Sequence, residues 1–310
     1  MQLQPCLASD GVLMVGAARI AIALGYIGSQ YHGSQVQPNV VTVQGLLQEA
    51  LHSLGWADSS THPITLSSRT DAGVDARMNI GSFDVDSTIW ENAGEKGIIV
   101  ALNDHLPLSI RVWAAEKVDS EFRARDASSR TYLYRLQAMK GWKEVDVEEL
   151  KQWCSMFEGE HDFANFCRTE DGRPTVRVVQ RCEPWLDGDG GILGFRIKGA
   201  SFVWNQVRRI ASVLCKLAGG RLTLKEVENA LHNVQERVVF GLADSKWLSL
   251  WSIEHKETPH LNSKVESFDE IFLHASTAAS GRLYPIWAEM ARLEQDCLHY
   301  GSWINQLELD

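Results

Sequence analysis

The sequence predicts an α+β fold in which two β-α-β-β-α-β-like halves, residues 19–118 and 119–310, build a mixed and mostly antiparallel sheet with helices on one face and a central cleft. Three observations point to this. Short runs rich in Ile and Val alternate with longer amphipathic stretches. The order strand, helix, strand, strand, helix, strand occurs once and is then largely repeated. The connections between these segments hold Gly, Asp and Asn. Residues 1–18 show little pattern and are expected to form a mobile N-terminal extension.

In the first half, "RIAIAL", Arg19 to Leu24, reads as a strand. Thr42 then opens a helix whose Val43, Leu46, Leu47, Ala50, Leu51 and Leu54 fall on one stripe. Strands at 64–67, 80–85 and 110–118 and a helical stretch near 98–106 complete the half. The second half begins with a strand at 131–137 and a helix from Asp146, where Asp146 and Glu149 are placed for a capping box. Val147, Leu150, Trp153, Cys154 and Phe157 are its inward positions. Strands at 176–186 and 192–197 flank the hairpin signal "DGDGG". A helix at 203–218 ends at Gly219-Gly220, and Thr223 with Glu226 starts another. A closing strand is expected at 283–287 and a helix at 288–299; the loop around Asn262 is poor in pattern.

Composition narrows the function class. With 310 residues, 45% hydrophobic and 23% charged, the chain can bury one large core or two ordinary ones. No apolar run approaches the roughly 18 residues of a spanning helix, and the N-terminus lacks a signal-peptide pattern, so a cytoplasmic protein is expected. Six cysteines without CxxC spacing disfavour a disulfide framework or a zinc ribbon. A net charge of −10 argues against indiscriminate coating of nucleic acid. The sign is nevertheless segregated. Arg196, Lys198, Arg208, Arg209, Lys216, Arg221 and Lys225 lie in a stretch without Asp or Glu, whereas acids such as Glu266, Asp269, Glu270, Glu289, Glu294 and Asp296 gather toward the C-terminus. A basic face able to hold phosphates, opposed by an acidic one, is therefore expected.

The segment that organises the chemistry is "SSRTDAGVDA", Ser67 to Ala76, which sets Asp71 between an arginine and a glycine turn where an apolar run ends. Strand ends are a usual place for catalytic groups, although an aspartate there also serves as a turn cap. His161, Asp162, Cys154 and Cys167 could be read as a metal-dependent hydrolase site, but their spacing fits no tight ligand pattern. No GxxxxGK[ST] sequence is present to cradle a triphosphate.

Four ordered segments give the chain a resemblance to the TruA-type tRNA pseudouridine synthases. They are Gly25 to Leu51, with Gln35 and Gln37 in a Gly-rich turn; Ser67 to Ala76, with Arg69-Thr70-Asp71-Ala72-Gly73; Leu102 to Leu136, with Tyr132 in an Arg-x-Tyr context; and Gly199 to Leu214, with Phe202, Val207 and Arg208. The resemblance implies the pseudouridine synthase fold and isomerisation of uridine to pseudouridine in the anticodon arm of tRNA, at positions 38 to 40. It also implies no cofactor, no metal and a homodimer. Asp71 is then the group that attacks the ribose or removes its C2′ proton to form a glycal. Either route needs an ionised carboxylate, a form that a neighbouring cation favours. Arg208 resembles that cation, and Tyr132 the aromatic that stacks on the target base and removes its C5 proton. Arg69 resembles the residue that fills the space left by a base flipped from its stem. Thr70, Gln35, Arg123, Arg125, Arg130 and Arg209 are candidate substrate contacts, and Leu283 the second wall of the base pocket. The chain departs from the family at Asp75, where a histidine is usual, at Ser34, where an aromatic is usual, and in "STAASGRLYP", Ser276 to Pro285. Asp75 is close enough in sequence to disturb Asp71. The alternative within the same fold is a catalytically altered RNA-binding relative.

Overall fold

The computed structural model describes residues 16–58, 63–264 and 284–307. Strand β1 (Ala17–Tyr26) is buried along nearly its whole length because β3 (Asp75–Asp86) and β4 (Ile110–Val118) pair antiparallel on either side of it. A continuous apolar run such as "IAIAL" suits a strand covered on both faces. Between β1 and β3 lie α1 (Val43–Ser53), capped as expected by the Thr42 side chain accepting from Gly45 N–H, and β2 (Thr65–Leu66), a two-residue rung on β3. Helix α2 (Ser87–His105) starts about three turns earlier than its periodicity suggests. Gly94, at φ 57°, breaks it in the middle and erases the amphipathic signal of its first part.

The second half contributes β5 (Ser129–Tyr134), α3 (Val147–Ser155), β6 (Gly159–Asp162), β7 (Val176–Leu186), β8 (Ile192–Gly199), α4 (Gln206–Ala218), α5 (Leu224–His232), β9 (Leu248–Glu254), α6 (Pro259–Ser263) and α7 (Tyr284–Leu307). The capping box of Thr223 with Glu226 forms, while Asp146 caps α3 by accepting from Glu148 N–H instead of pairing with Glu149. The strands join in one sheet of order β4-β1-β3-β9-β5-β8-β7-β6, with β2 on β3. Among the described residues only the β3–β9 pair is parallel; it sets Asp75 against Ser249 and Ala76 against Leu250. The expected mixed, mostly antiparallel sheet is thus what forms, and its two halves meet beside Asp75.

Three expectations are corrected. The closing strand is β9, not 283–287: Tyr284 already begins α7, and Pro285 sits in the first turn of that helix, where no N–H is needed. The pattern-poor loop around Asn262 contains α6, whose Leu261 is buried and whose His260 and Leu261 N–H groups donate to Glu116. Helices also occupy both sides of the sheet. On β5, Tyr132 faces the cleft that α4 borders with Val207 and Arg208, whereas its neighbour Leu133 packs with Leu298 of α7; on β1 the space beyond Gly25 is filled by the indole of Trp303, also from α7. The absence of a side chain at Gly25 makes room for that ring, which is almost fully buried and donates to the Arg77 carbonyl. Residues 1–15 of the expected extension lie outside the described residues, and β1 starts at Ala17.

Candidate active site

The Asp71 loop is held from below before anything reaches its carboxylate. Thr70 N–H donates to Ser34 Oγ at 2.8 Å, and Ser34 N–H returns to the Thr70 carbonyl at 3.1 Å. Ser34, the departure from an aromatic, is thus a buried clamp. Gly33, at φ 95°, lies so close that an added Cβ would meet the Thr70 carbonyl at 2.9 Å, which excludes larger residues there. The Thr70 hydroxyl is hydrogen-bonded to Tyr26 OH at 2.8 Å, and burial pushes that phenol up to about 12. Asn79 grips Ser68 by both its N–H and its carbonyl.

Asp71 emerges from this frame into a cleft of about 810 Å³. Arg208, two residues into α4, donates from Nη1 to Asp71 Oδ2 at 2.6 Å, and its Nε donates to the Ala243 carbonyl at 2.9 Å. Trp204 donates from its indole Nε1 to Asp71 Oδ1 at 3.2 Å. Asn205, left-handed at φ 67°, turns the chain so that Trp204 and Arg208 face the same carboxylate. Tyr132 lines the cleft from β5 and meets Phe202 edge to face, ring centroids 5.3 Å apart. Burial raises its hydroxyl above the ordinary phenol value, so it remains protonated near neutral pH. Asp71, Tyr132 and Arg208 therefore share one hollow.

The remaining expected contacts divide. Gln35, Arg69 and Arg125 line the cleft; Arg69 is exposed and, among the described residues, joins no ion pair. Thr70 also lines it, but its hydroxyl is spent on Tyr26. Arg130 is turned inward: buried, it donates to Ser68 Oγ and to the carbonyls of Ser67, Arg125, Ala127 and Ala200. It fastens the Asp71 loop to the second half, and a phosphate would have to displace those bonds. Arg123 and Arg209 do not line the cleft. Leu283 lies outside the described residues. The basic stretch does not form one face either, because Arg196 pairs with Glu183, Lys198 with Glu254, and Lys216 donates to the Phe240 carbonyl. The positive lining comes instead from arginines of separate segments, with Arg168, Arg173 and Arg177 added to Arg69 and Arg125.

Asp75 lies apart from the cleft. It is fully buried and points the other way, accepting from Gly28 N–H, from both terminal nitrogens of Arg292 and from Gln295, each at 2.8 Å. The sequence reading missed this role, and it missed Trp204; a tryptophan in the loop before a basic helix, "FVWNQVRR", was the available signal. At the alternative metal position, Asp162 accepts from Ala164 N–H and Thr175 OH, and among the described residues no three His, Cys, Asp or Glu side chains gather.

Comparison with known proteins identifies the family. A family model described as tRNA pseudouridine synthase matches residues 153–256, which include α4 and Arg208. The tRNA pseudouridine synthase A of Methanosarcina barkeri is 39% identical over 204 residues, 65% of this chain and 71% of the relative. That of Pyrococcus horikoshii is 32% identical over 273 residues, 87% and 98% of the two chains. That of Methylacidiphilum infernorum is 32% identical over 250 residues, 76% and 94%. Among solved structures, an H/ACA RNP bound to a substrate RNA containing 2′-deoxyuridine aligns at TM-score 0.31 and 15% identity over 62% of this chain and 44% of that one, too weak a likeness to build on. With identities above 30% running over most of these relatives, the chain belongs to the tRNA pseudouridine synthase A family.

Proposed function

We propose that the protein isomerises uridine to pseudouridine in the anticodon arm of tRNA, at positions 38 to 40, with Asp71 acting on the ribose of the target nucleotide. The observation that carries this reading is the Asp71–Arg208 ion pair at 2.6 Å, opening into a cleft that also holds Tyr132. The reaction is an isomerisation: the bond from N1 to C1′ breaks, the uracil turns, a bond from C5 to C1′ forms, C5 gives up its proton and N1 ends with one. It needs no redox partner, only a placed carboxylate. Asp71 serves either by attacking C1′ or by taking the C2′ proton, and in both routes Arg208 balances its charge. The protonated Tyr132 phenol suits stacking against the uracil or donating a hydrogen bond. Arg69, exposed at the cleft, is placed to enter a stem as the base leaves it, at an unstacking cost of about a few kcal/mol. Gln35, Arg125, Arg168, Arg173 and Arg177 supply contacts to the RNA backbone. A homodimer acting in the cytoplasm completes the reading.

The test follows from the lost C5 hydrogen. Transcribed tRNA carrying tritium at uridine C5 should release tritium to water on incubation with the protein. Transcripts with cytidine at positions 38 to 40 should release none. Equal release from both transcripts would reject the assigned positions, and no release from either would reject the activity.

A further inference from the structure

Trp204 touches Asp71 directly and has no role in the reading above. Its indole N–H holds Oδ1 while Arg208 holds Oδ2, so each oxygen of the carboxylate meets a different donor. A carboxylate gripped at one oxygen still swings about its terminal torsion, which is broad and soft; a donor on each oxygen removes that freedom. The indole is itself held. The Arg168 guanidinium stacks 4.1 Å from its ring centroid, Arg168 N–H donates to the Trp204 carbonyl at 2.9 Å, and the Gln206 side chain accepts from Val203 N–H one residue before. Yet Trp204 is 42% exposed. Core packing does not account for a large ring placed in this way, whereas the bond to Asp71 does.

We propose that Trp204 is a positioning residue for pseudouridine formation: its indole N–H fixes the rotation of the Asp71 carboxylate and presents it to the ribose in one orientation, with the Arg168 stack holding the indole in place. This rests on the function proposed above. Trp204→Phe keeps the ring and its stack and removes only the donor. In the tritium-release assay, kcat should fall by about tenfold, the scale of losing one hydrogen bond to a charged group, while KM changes less than about twofold. The acid limb of kcat/KM against pH should move upward, because a donor that favours the ionised carboxylate is gone. The ring is exposed, so thermal unfolding should be unchanged. Wild-type kcat in Trp204→Phe overturns the inference. So does a rise in KM alone, which would make Trp204 an RNA contact, and so does a fall in kcat with an unmoved acid limb, the mark of a structural defect. If the wild-type protein itself releases no tritium, the proposed function fails first and this inference with it; an active wild type matched by Trp204→Phe refutes the inference alone.

Discussion

Asp71 and Asp75 stand four residues apart in one short segment, and each is met by an arginine from far along the chain. Their surroundings differ in a way that separates chemistry from architecture. The Asp71 side chain is 32% exposed, has two donors from the α4 region and faces an open cleft. The Asp75 side chain is 0% exposed and accepts from Gly28, Arg292 and Gln295, two of them on α7. A carboxylate meant to react keeps lone pairs and space free; one meant to hold a fold spends them. Asp75 thereby ties the last helix to the start of β3, at the one parallel seam among the described strands, and keeps the neighbouring loop in register.

The comparison can be broken most severely at Asp71. Asp71→Asn should lower pseudouridine formation by at least about 10³-fold, the scale of losing a nucleophile or base, while urea unfolding stays close to wild type. Appreciable residual turnover would move the chemistry elsewhere. Asp75→Asn should do the reverse in kind. It takes from the buried Arg292 guanidinium its fully buried carboxylate, leaving Asp296 as the remaining acid partner, and should cost about 3–5 kcal/mol in unfolding free energy. Pairing it with Arg292→Gln should lose less than the sum of the two single changes; strict additivity would show that the two residues are not coupled.

A smaller effect is expected at the first arginine. Arg208→Ala should cut kcat by about 10²-fold, as expected for removing charge stabilisation from a reacting group. Arg221→Ala, away from the cleft, should be nearly silent, and similar losses in both would reduce Arg208 to a general RNA contact.

The smallest effect is a pH dependence around Asp75. Burial lowers His299 from 6.5 to about 4, so between those values the unfolded chain binds the extra proton and stability falls as pH drops. Asp296 opposes this. Burial raises its carboxyl from 3.8 to about 6, so across that window the folded chain binds more protons and stability falls as pH rises. His299→Gln removes the first contribution. Its stability deficit at pH 7 should therefore shrink by on the order of 2–3 kcal/mol by pH 4, read from urea unfolding at several pH values. A deficit independent of pH would mean that His299 is not held neutral by the fold.

Much of the fold was legible in local pattern. The edges of β4 and β7 follow from apolar runs bounded by turn residues, and the starts of α1 and α5 from Thr42 and from Thr223 with Glu226. Where local pattern misled, a long-range partner had decided. The strand-like residues from Tyr284 head a helix that Asp75 grips through Arg292 and Gln295; α2, by contrast, hides its first turns behind its own Gly94. At the site, Asp71, Tyr132 and Arg208 could be named because each sits in a distinctive local string. Ser34 and the arginines of the 168–177 segment could not, since nothing within their own segments says that they end beside Asp71, and Trp204 offered only its place before a basic helix.

The sequence by itself determined most element types, the proposed reacting carboxylate and the family, because periodicity, capping residues and short signatures are written within a few positions of one another. Only the tertiary structure decided that Arg292 serves Asp75, that Arg130 is a buried fastener and that Trp204 completes the grip on Asp71. Those are contacts across 60 to 220 residues, and they exist only after the sheet has brought its two halves edge to edge.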